Sequence, residues 1–188
     1  VPLLGGVAIV VTFFLMIGVH LAALSLSGEF GLSWIKHDFL AFLGEDSAVK
    51  LSGVLAGAFL IFLLGVVDDV KVLTPWLKLM GQIAAATVLV MSGIRLEIFV
   101  LSNYWLSALV TIFWVVMMTN SMNFLDNMDG LCGGVSVIAA FSFFLCVQPY
   151  DEQLVRFLLM VFAGAVAGFL YHNLNPARIV MGDSGAMF

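Results

Sequence analysis

The chain is 188 residues long, 63% hydrophobic and 10% charged, with a mean hydropathy of +1.16. Soluble domains carry about 25% charged residues, so these totals exclude an ordinary soluble fold and point to an integral membrane protein. The net charge of −5, seven Lys plus Arg against twelve Asp plus Glu, excludes the basic footprint of a nucleic-acid binder.

A helix needs about 20 apolar residues to cross a hydrocarbon core roughly 30 Å thick. Six runs meet or approach that length: Val7–Leu26, Leu51–Val67, Leu77–Met91, Tyr104–Met118, Leu131–Val147 and Leu154–Tyr171. The third and fourth are short, so their ends are expected at the interface. All six are too apolar around their circumference to be surface helices of a soluble domain. The longest connection, Ser27–Lys50, has apolar residues at helical spacing over Leu32–Leu43, which predicts a short amphipathic helix on the membrane face. No cleavable signal peptide is legible, since no basic region precedes the first apolar run. Cys132 and Cys146 read as small buried hydrophobes, not as a disulfide or a metal site. His20, in mid-span, reads as a hydrogen-bonded interior residue and His37 as a surface one. The Met and Phe residues read as lipid-facing or packing groups.

Each span swaps sides, and this parity sorts the loops. Pro2–Gly6, Asp68–Pro75, Thr119–Gly130 and His172–Phe188 fall on one face; Ser27–Lys50, Ser92–Asn103 and Gln148–Gln153 fall on the other. Every loop rich in Gly, Asn and Asp is thus on the first face. The basic residues do not orient the chain: Lys71, Lys78 and Arg178 lie on the first face, and Lys36, Lys50, Arg95 and Arg156 on the second.

Three polar clusters stand on the first face. Asp68-Asp69 abuts an apolar span, and adjacent carboxylates repel unless a cation sits nearby. A solvated helix end is the plain reading; a metal and phosphate site, with Lys71 and Lys78 attracting phosphate, is the functional one. Next, Asn120, Asn123 and Asp126 are spaced three apart and would share a helix face, with Asp129 three further on. Such oxygens are hard ligands suited to Mg²⁺, which takes one or two carboxylates plus substrate phosphate. Interhelical hydrogen bonding is the plain alternative. Last, His172 to Gly185 holds Pro176, which stops the sixth span, and Asp183 between Gly182 and Gly185, which permit close backbone approach. Asp183 reads as a further carboxylate for a shared metal, and His172 as a candidate substrate contact. Polar groups between long apolar runs are expensive and read as functional by default.

Pro2-x-x-Gly5-Gly6, Asp68-Asp69, Lys78 with Gln82, Asn120-x-x-Asn123-x-x-Asp126-x-x-Asp129-Gly130-Leu131 and Met181-Gly182-Asp183-x-Gly185 occur in that order. In this the chain resembles the polyprenyl-phosphate N-acetylhexosamine-1-phosphate transferases (glycosyltransferase family 4), with undecaprenyl-phosphate GlcNAc-1-phosphate transferase as the nearer type. The resemblance implies Mg²⁺-dependent transfer of a sugar 1-phosphate, GlcNAc-1-phosphate first, from a UDP-sugar to undecaprenyl phosphate. UMP is released, and the product serves cell-wall or surface-polysaccharide synthesis. Mn²⁺ is an expected substitute metal, a multi-pass inner (plasma) membrane location with a cytoplasmic site is implied, and a homodimer is compatible with it. It implies that Asp68 and Asp69 are the family's catalytic aspartate pair, that Asp183 is a metal ligand, and that Asn123 and Asp126 serve metal and nucleotide binding. The chain departs from the family pattern at Asn127, where Gly is usual, at Val180, where an aromatic is common, and at Ala186, which replaces a frequent Ser.

The expected fold is an all-α polytopic membrane helix bundle with six transmembrane helices. Residues 1–188 are expected to form a single transmembrane catalytic domain that lacks elements of a larger bundle at both ends. The expected site assigns Asp68, Asp69 and Asp126 to catalysis and Asn123 and Asp183 to the metal. Lys71, Lys78, Asn120, Asp129, Gly5 and Gly6 are assigned to substrate binding. A phospho-MurNAc-pentapeptide translocase is the alternative within the family; a polytopic transporter or an inactive membrane subunit is the alternative outside it.

Overall fold

The computed structural model describes residues 3–27, 45–96, 103–150 and 152–188. The amphipathic helix expected over Leu32–Leu43, along with Pro2, His37 and parts of the later loops on that side, lies outside the described residues.

The six apolar runs are helices: α1 (Gly5–Ser27), α2 (Glu45–Val70), α3 (Pro75–Met91), α4 (Tyr104–Leu125), α5 (Leu131–Val147) and α6 (Gln153–Asn173). A short seventh, α7 (Asp183–Ala186), follows an irregular segment. Four helices, α1, α2, α4 and α6, are long and apolar enough to cross a membrane; α3 and α5 have 17 residues each. At 1.5 Å per residue these two span about 25 Å, just short of the hydrocarbon thickness. The chain is an integral, multi-pass helical membrane protein.

Local sequence sets the helix ends. Pro75 opens α3 at its first position, where a missing N–H costs nothing. Asn103 caps α4 by accepting from Trp105 N at 2.9 Å. Gly130, at φ 73°, supplies the left-handed turn that starts α5. Two ends differ from the sequence expectation. Helix α2 begins at Glu45, ahead of its apolar run. Helix α4 was expected to end near Met118 but continues to Leu125, because Asn120 and Asn123 find partners on neighbouring elements.

The helices form antiparallel neighbours, α5 against α6 and α2 against α3, with α3 also against α4. Helix α1 packs on α6 and α7. Ile9, Phe13 and Ile17 of α1 meet Val166 and Phe169 of α6, with Met181 and Ala186 closing the core at one end. Large apolar side chains such as Leu15, Phe113, Trp114, Ile138 and Phe143 stay exposed, as lipid-facing positions must. Lipid offers no hydrophobic drive to helix association, so close packing and interhelical hydrogen bonds hold the bundle. His20 stacks near Phe157, ring centroids 4.6 Å apart. Cys132 is buried and free as expected; Cys146 is free but exposed, because it falls on the outer face of α5, which corrects its reading as a buried residue.

Candidate functional site

The C-terminal ends of α2, α4 and α6 and the N-terminal ends of α1, α3 and α5 gather at one end of the bundle, as the parity of the spans requires. Lys78, in the first turn of α3, is the hub. Its Nζ lies 2.8 Å from Asp68 Oδ2 and 3.3 Å from Asp183 Oδ2, and donates to Asn123 Oδ1 at 3.2 Å. One ammonium thus joins α2, α4 and α7. Asp68 is buried, and its other oxygen accepts from Leu73 N at 2.7 Å, closing the turn between α2 and α3. The amide Nδ2 of Asn123 donates to Asp183 Oδ1.

Asp69 has a different task. Its Oδ1 accepts from Asp183 N at 2.7 Å and its Oδ2 from Ser184 N at 3.0 Å. A carboxylate at the first turn of α7 satisfies two orphan donors and fixes where Asp183 stands. The backbone comes this close because glycines line the approach. A Cβ on Gly6 would sit 2.2 Å from Gly185 N, and one on Gly65 would sit 2.5 Å from Ser184 Cα. Gly182, at φ 74°, turns the chain into α7. Gly5 N and Gly6 N donate to Val180 O at 3.1 Å and Met181 O at 2.8 Å. The two glycines expected to bind substrate therefore anchor the segment that carries Asp183, and neither lines the cavity described next.

That cavity, of about 440 Å³, is lined by Leu3, Asp69, Asn120, Asn123, Phe124, Asp126, Asn127, Val180, Gly182 and Asp183. Asn120 and Asn123 share the last turns of α4, and Asp126 is its C-cap, so the spacing of three does put them on one side. Asp126 accepts a backbone hydrogen bond from Gly182, yet burial, with Asp183 and Asp69 close by, pushes its carboxyl up to about 6. Burial and a hydrogen bond with Asp68 likewise hold the Asp183 carboxyl above the ordinary range, against the opposing pull of Asn123 and Lys78. In both, burial is the larger cause and the neighbouring carboxylate the smaller one.

Other expected residues are placed elsewhere. Asp129, three past Asp126, has left the helix. Its Oδ2 accepts from Asn175 Nδ2 at 3.2 Å and Ala177 N at 3.1 Å, which ties the turn before α5 to the segment after α6. Lys71 lies exposed in the turn after α2 and does not line the cavity. His172 is exposed at the end of α6, its ring edge-on to Tyr171, and also does not line it. Sequence reasoning missed Asn173, which is buried, accepts from Gly130 N at 2.9 Å and donates to Ile179 O at 2.9 Å. Its place at the end of a span, ahead of a proline, was the only signal available. Asn127, where the family usually has Gly, donates to Phe124 O and secures the end of α4 without a positive φ.

Among the described residues no group of three or more His, Cys, Asp or Glu forms a ready metal cage. The donor set nonetheless fits Mg²⁺, which accepts one or two carboxylates and completes its shell with water and phosphate. Asp126 and Asp183 face one polar cavity with the amides of Asn120, Asn123 and Asn127, and among the described residues Lys78 is the cation paired with the carboxylates around it. Turning the Asn123 amide about would present its oxygen, with that of Asp183, to a cation.

Comparison with known proteins gives the family. The family model described as Glycosyl transferase family 4 matches residues 51–188. A probable undecaprenyl-phosphate N-acetylglucosaminyl 1-phosphate transferase of Bacillus subtilis is 31% identical over 77% of this chain and 42% of its own length. A decaprenyl-phosphate N-acetylglucosaminephosphotransferase of Mycolicibacterium smegmatis is 32% identical over 99% of this chain and 46% of its own. A phospho-N-acetylmuramoyl-pentapeptide-transferase of Listeria welshimeri is 42% identical over 44% of this chain and 26% of its own. The chain thus spans less than half the length of these relatives. It belongs to glycosyl transferase family 4.

Proposed function

We propose that the full protein transfers GlcNAc 1-phosphate from UDP-GlcNAc to a polyprenyl phosphate, with undecaprenyl phosphate the first candidate, and that the site faces the cytoplasm across the inner membrane. The observation that carries this reading is the Lys78 cluster: one ammonium held between Asp68 and Asp183, beside Asn123, where apolar helices end. A polar cavity lined by the Asp69, Asp126 and Asp183 carboxylates, at the lipid–water boundary, suits a divalent cation that bridges to an acceptor phosphate whose tail stays in lipid. The names of the Bacillus and Mycolicibacterium relatives support the class of acceptor and sugar.

In the reaction, an oxygen of the acceptor phosphate bonds to the β-phosphorus of the donor. The bond from that phosphorus to the bridging oxygen breaks, and its electron pair leaves with UMP. Little covalent work falls to the protein in such a transfer, and positioning and charge stabilisation dominate. Lys78, which does not itself line the cavity, offsets the charge of Asp68 and Asp183 where the two anions meet. Asp69, whose two oxygens accept from the first turn of α7, holds Asp183 in place. Asp68, bound to Leu73 N and Lys78, orients the ammonium. A phosphate monoester has its second pKa near about 6, so the acceptor is largely dianionic at neutral pH and needs no strong base. Asp183 and Asn123 are the groups that would hold Mg²⁺, which supplies charge neutralisation for the pyrophosphate when bound.

The test is UMP release from membranes holding the full-length protein, given undecaprenyl phosphate and a panel of UDP-sugars. Release with UDP-GlcNAc is expected. Release only with UDP-MurNAc-pentapeptide would favour the second reading, which rests on the Listeria relative. No release with any donor would remove the proposal.

A further inference from the structure

Gln82 stands one helical turn past Lys78 on α3 and is 1% exposed. Its Nε2 donates to Asn120 Oδ1 at 3.3 Å and to Met187 Sδ at 3.6 Å, and its Oε1 accepts from Asn120 Nδ2 at 2.7 Å. Each member of this trio lies one turn from a site residue on its own element. Gln82 is four after Lys78, Asn120 is three before Asn123, and Met187 is four after Asp183. Met187 is also bound to Asp183 directly, N to O at 3.1 Å. A second layer beneath the site therefore repeats its connectivity: α3, α4 and the α7 segment meet once through Lys78 and again through Gln82.

Polar side chains between membrane helices often serve only to hold two helices together. Gln82 does more than that arrangement requires. It reaches a third element, it uses both its N–H groups and its carbonyl, and its partners are in register with the charged layer above. A buried amide bonded at both ends also fixes one arrangement, since a slip would leave the Gln82 amide, on the buried side, without a partner.

We propose that Gln82 is a positioning residue, whose amide sets the spacing of Lys78, Asn123 and Asp183 and so tunes how tightly Asn123 and Asp183 hold a divalent cation. The inference rests on the functional reading above for its kinetic consequence, but not for its binding consequence. In the full-length protein, Gln82→Leu should keep a near-wild-type unfolding temperature in chelator, because Asn120 borders the cavity and can turn to water. Mn²⁺ affinity, followed by the loss of free-ion EPR signal, should fall roughly 10- to 100-fold, the usual effect of losing a support to a metal ligand. The half-saturating Mg²⁺ concentration for UMP release should rise with it. The exchanged pair Gln82→Asn with Asn120→Gln keeps the summed reach of the two amides and should recover most of the Mn²⁺ affinity. Unchanged Mn²⁺ affinity in Gln82→Leu, or a lowered unfolding temperature with unchanged affinity, would overturn the proposal. A wild-type protein that binds no Mn²⁺ would overturn it as well. A wild type that binds Mn²⁺ but turns over no UDP-sugar would sink the functional reading alone, and the EPR comparison would still decide the role of Gln82.

Discussion

Asp126 carries the clearest residue-scale signature. Its carboxyl, ordinarily near 3.8, is pushed up to about 6 by burial and by the neighbouring Asp183 and Asp69. A carboxyl raised on folding favours the folded state while protonated. That contribution is complete below the unfolded value and is lost as pH rises through the folded one. In chelator, the unfolding temperature should therefore drop between about pH 4 and about pH 6. Asp126→Asn should remove that part of the slope, and Mg²⁺ should offset the loss at neutral pH. Melting curves across this range, with EDTA and with Mg²⁺, check both statements. The same carboxylates show what a sequence can and cannot tell. That Asp68, Asp69, Asp126 and Asp183 would gather at one end of the bundle was legible from their cost beside apolar runs and from the parity of the spans. Which oxygen meets which donor was not, because that depends on backbone approach. Asp69 spends both oxygens on α7, and Asp129 turns from its expected face to the 175–177 loop once the helix ends at Leu125. Lys71 and Lys78 looked equivalent as cations; only Lys78 sits on a helix face directed at the cluster.

Among the elements, α7 is the one whose placement decides the site. Gly6 and Gly65 admit it from two sides, and Asp69 caps it. Gly6→Ala would set a methyl 2.2 Å from Gly185 N and 2.4 Å from Ser184 Oγ, where backbone must move. Overpacking of this kind costs about 1–3 kcal/mol, and here it also displaces Asp183. Gly164→Ala meets nothing within 4 Å and serves as the control. Thermal unfolding in detergent, alongside UMP release, should show the Gly6 variant less stable and less active and the Gly164 variant unchanged. The helices themselves were legible because unbroken apolar runs leave few alternatives in a membrane. The extension of α4 past Met118 was not, because Asn120 and Asn123 look like loop residues until their partners on α3 and α7 are known.

For the whole molecule, six alternating helices place Asp68, Asp69, Asp126 and Asp183 at one end of the bundle, and the α5–α6 connection lies at the opposite end. Lys71, Asn127 and Tyr150 are all exposed, the first two at the site end and the last at the far end. In a full-length protein with Cys146 replaced by Ser, Lys71→Cys and Asn127→Cys should react with an impermeant maleimide from one side of sealed vesicles. Tyr150→Cys should react only from the other. Labelling of Lys71→Cys and Asn127→Cys from opposite sides would break the topology. On the proposed function, these motifs meet to hold one divalent cation against phosphate. This is tested most directly by titrating Mg²⁺ against UMP release in the full-length protein and its Asp183→Asn variant. The variant should lose more than the roughly 10- to 100-fold typical of losing a mere support to a metal ligand, at every Mg²⁺ concentration. Wild-type turnover with a wild-type Mg²⁺ dependence in Asp183→Asn would contradict it.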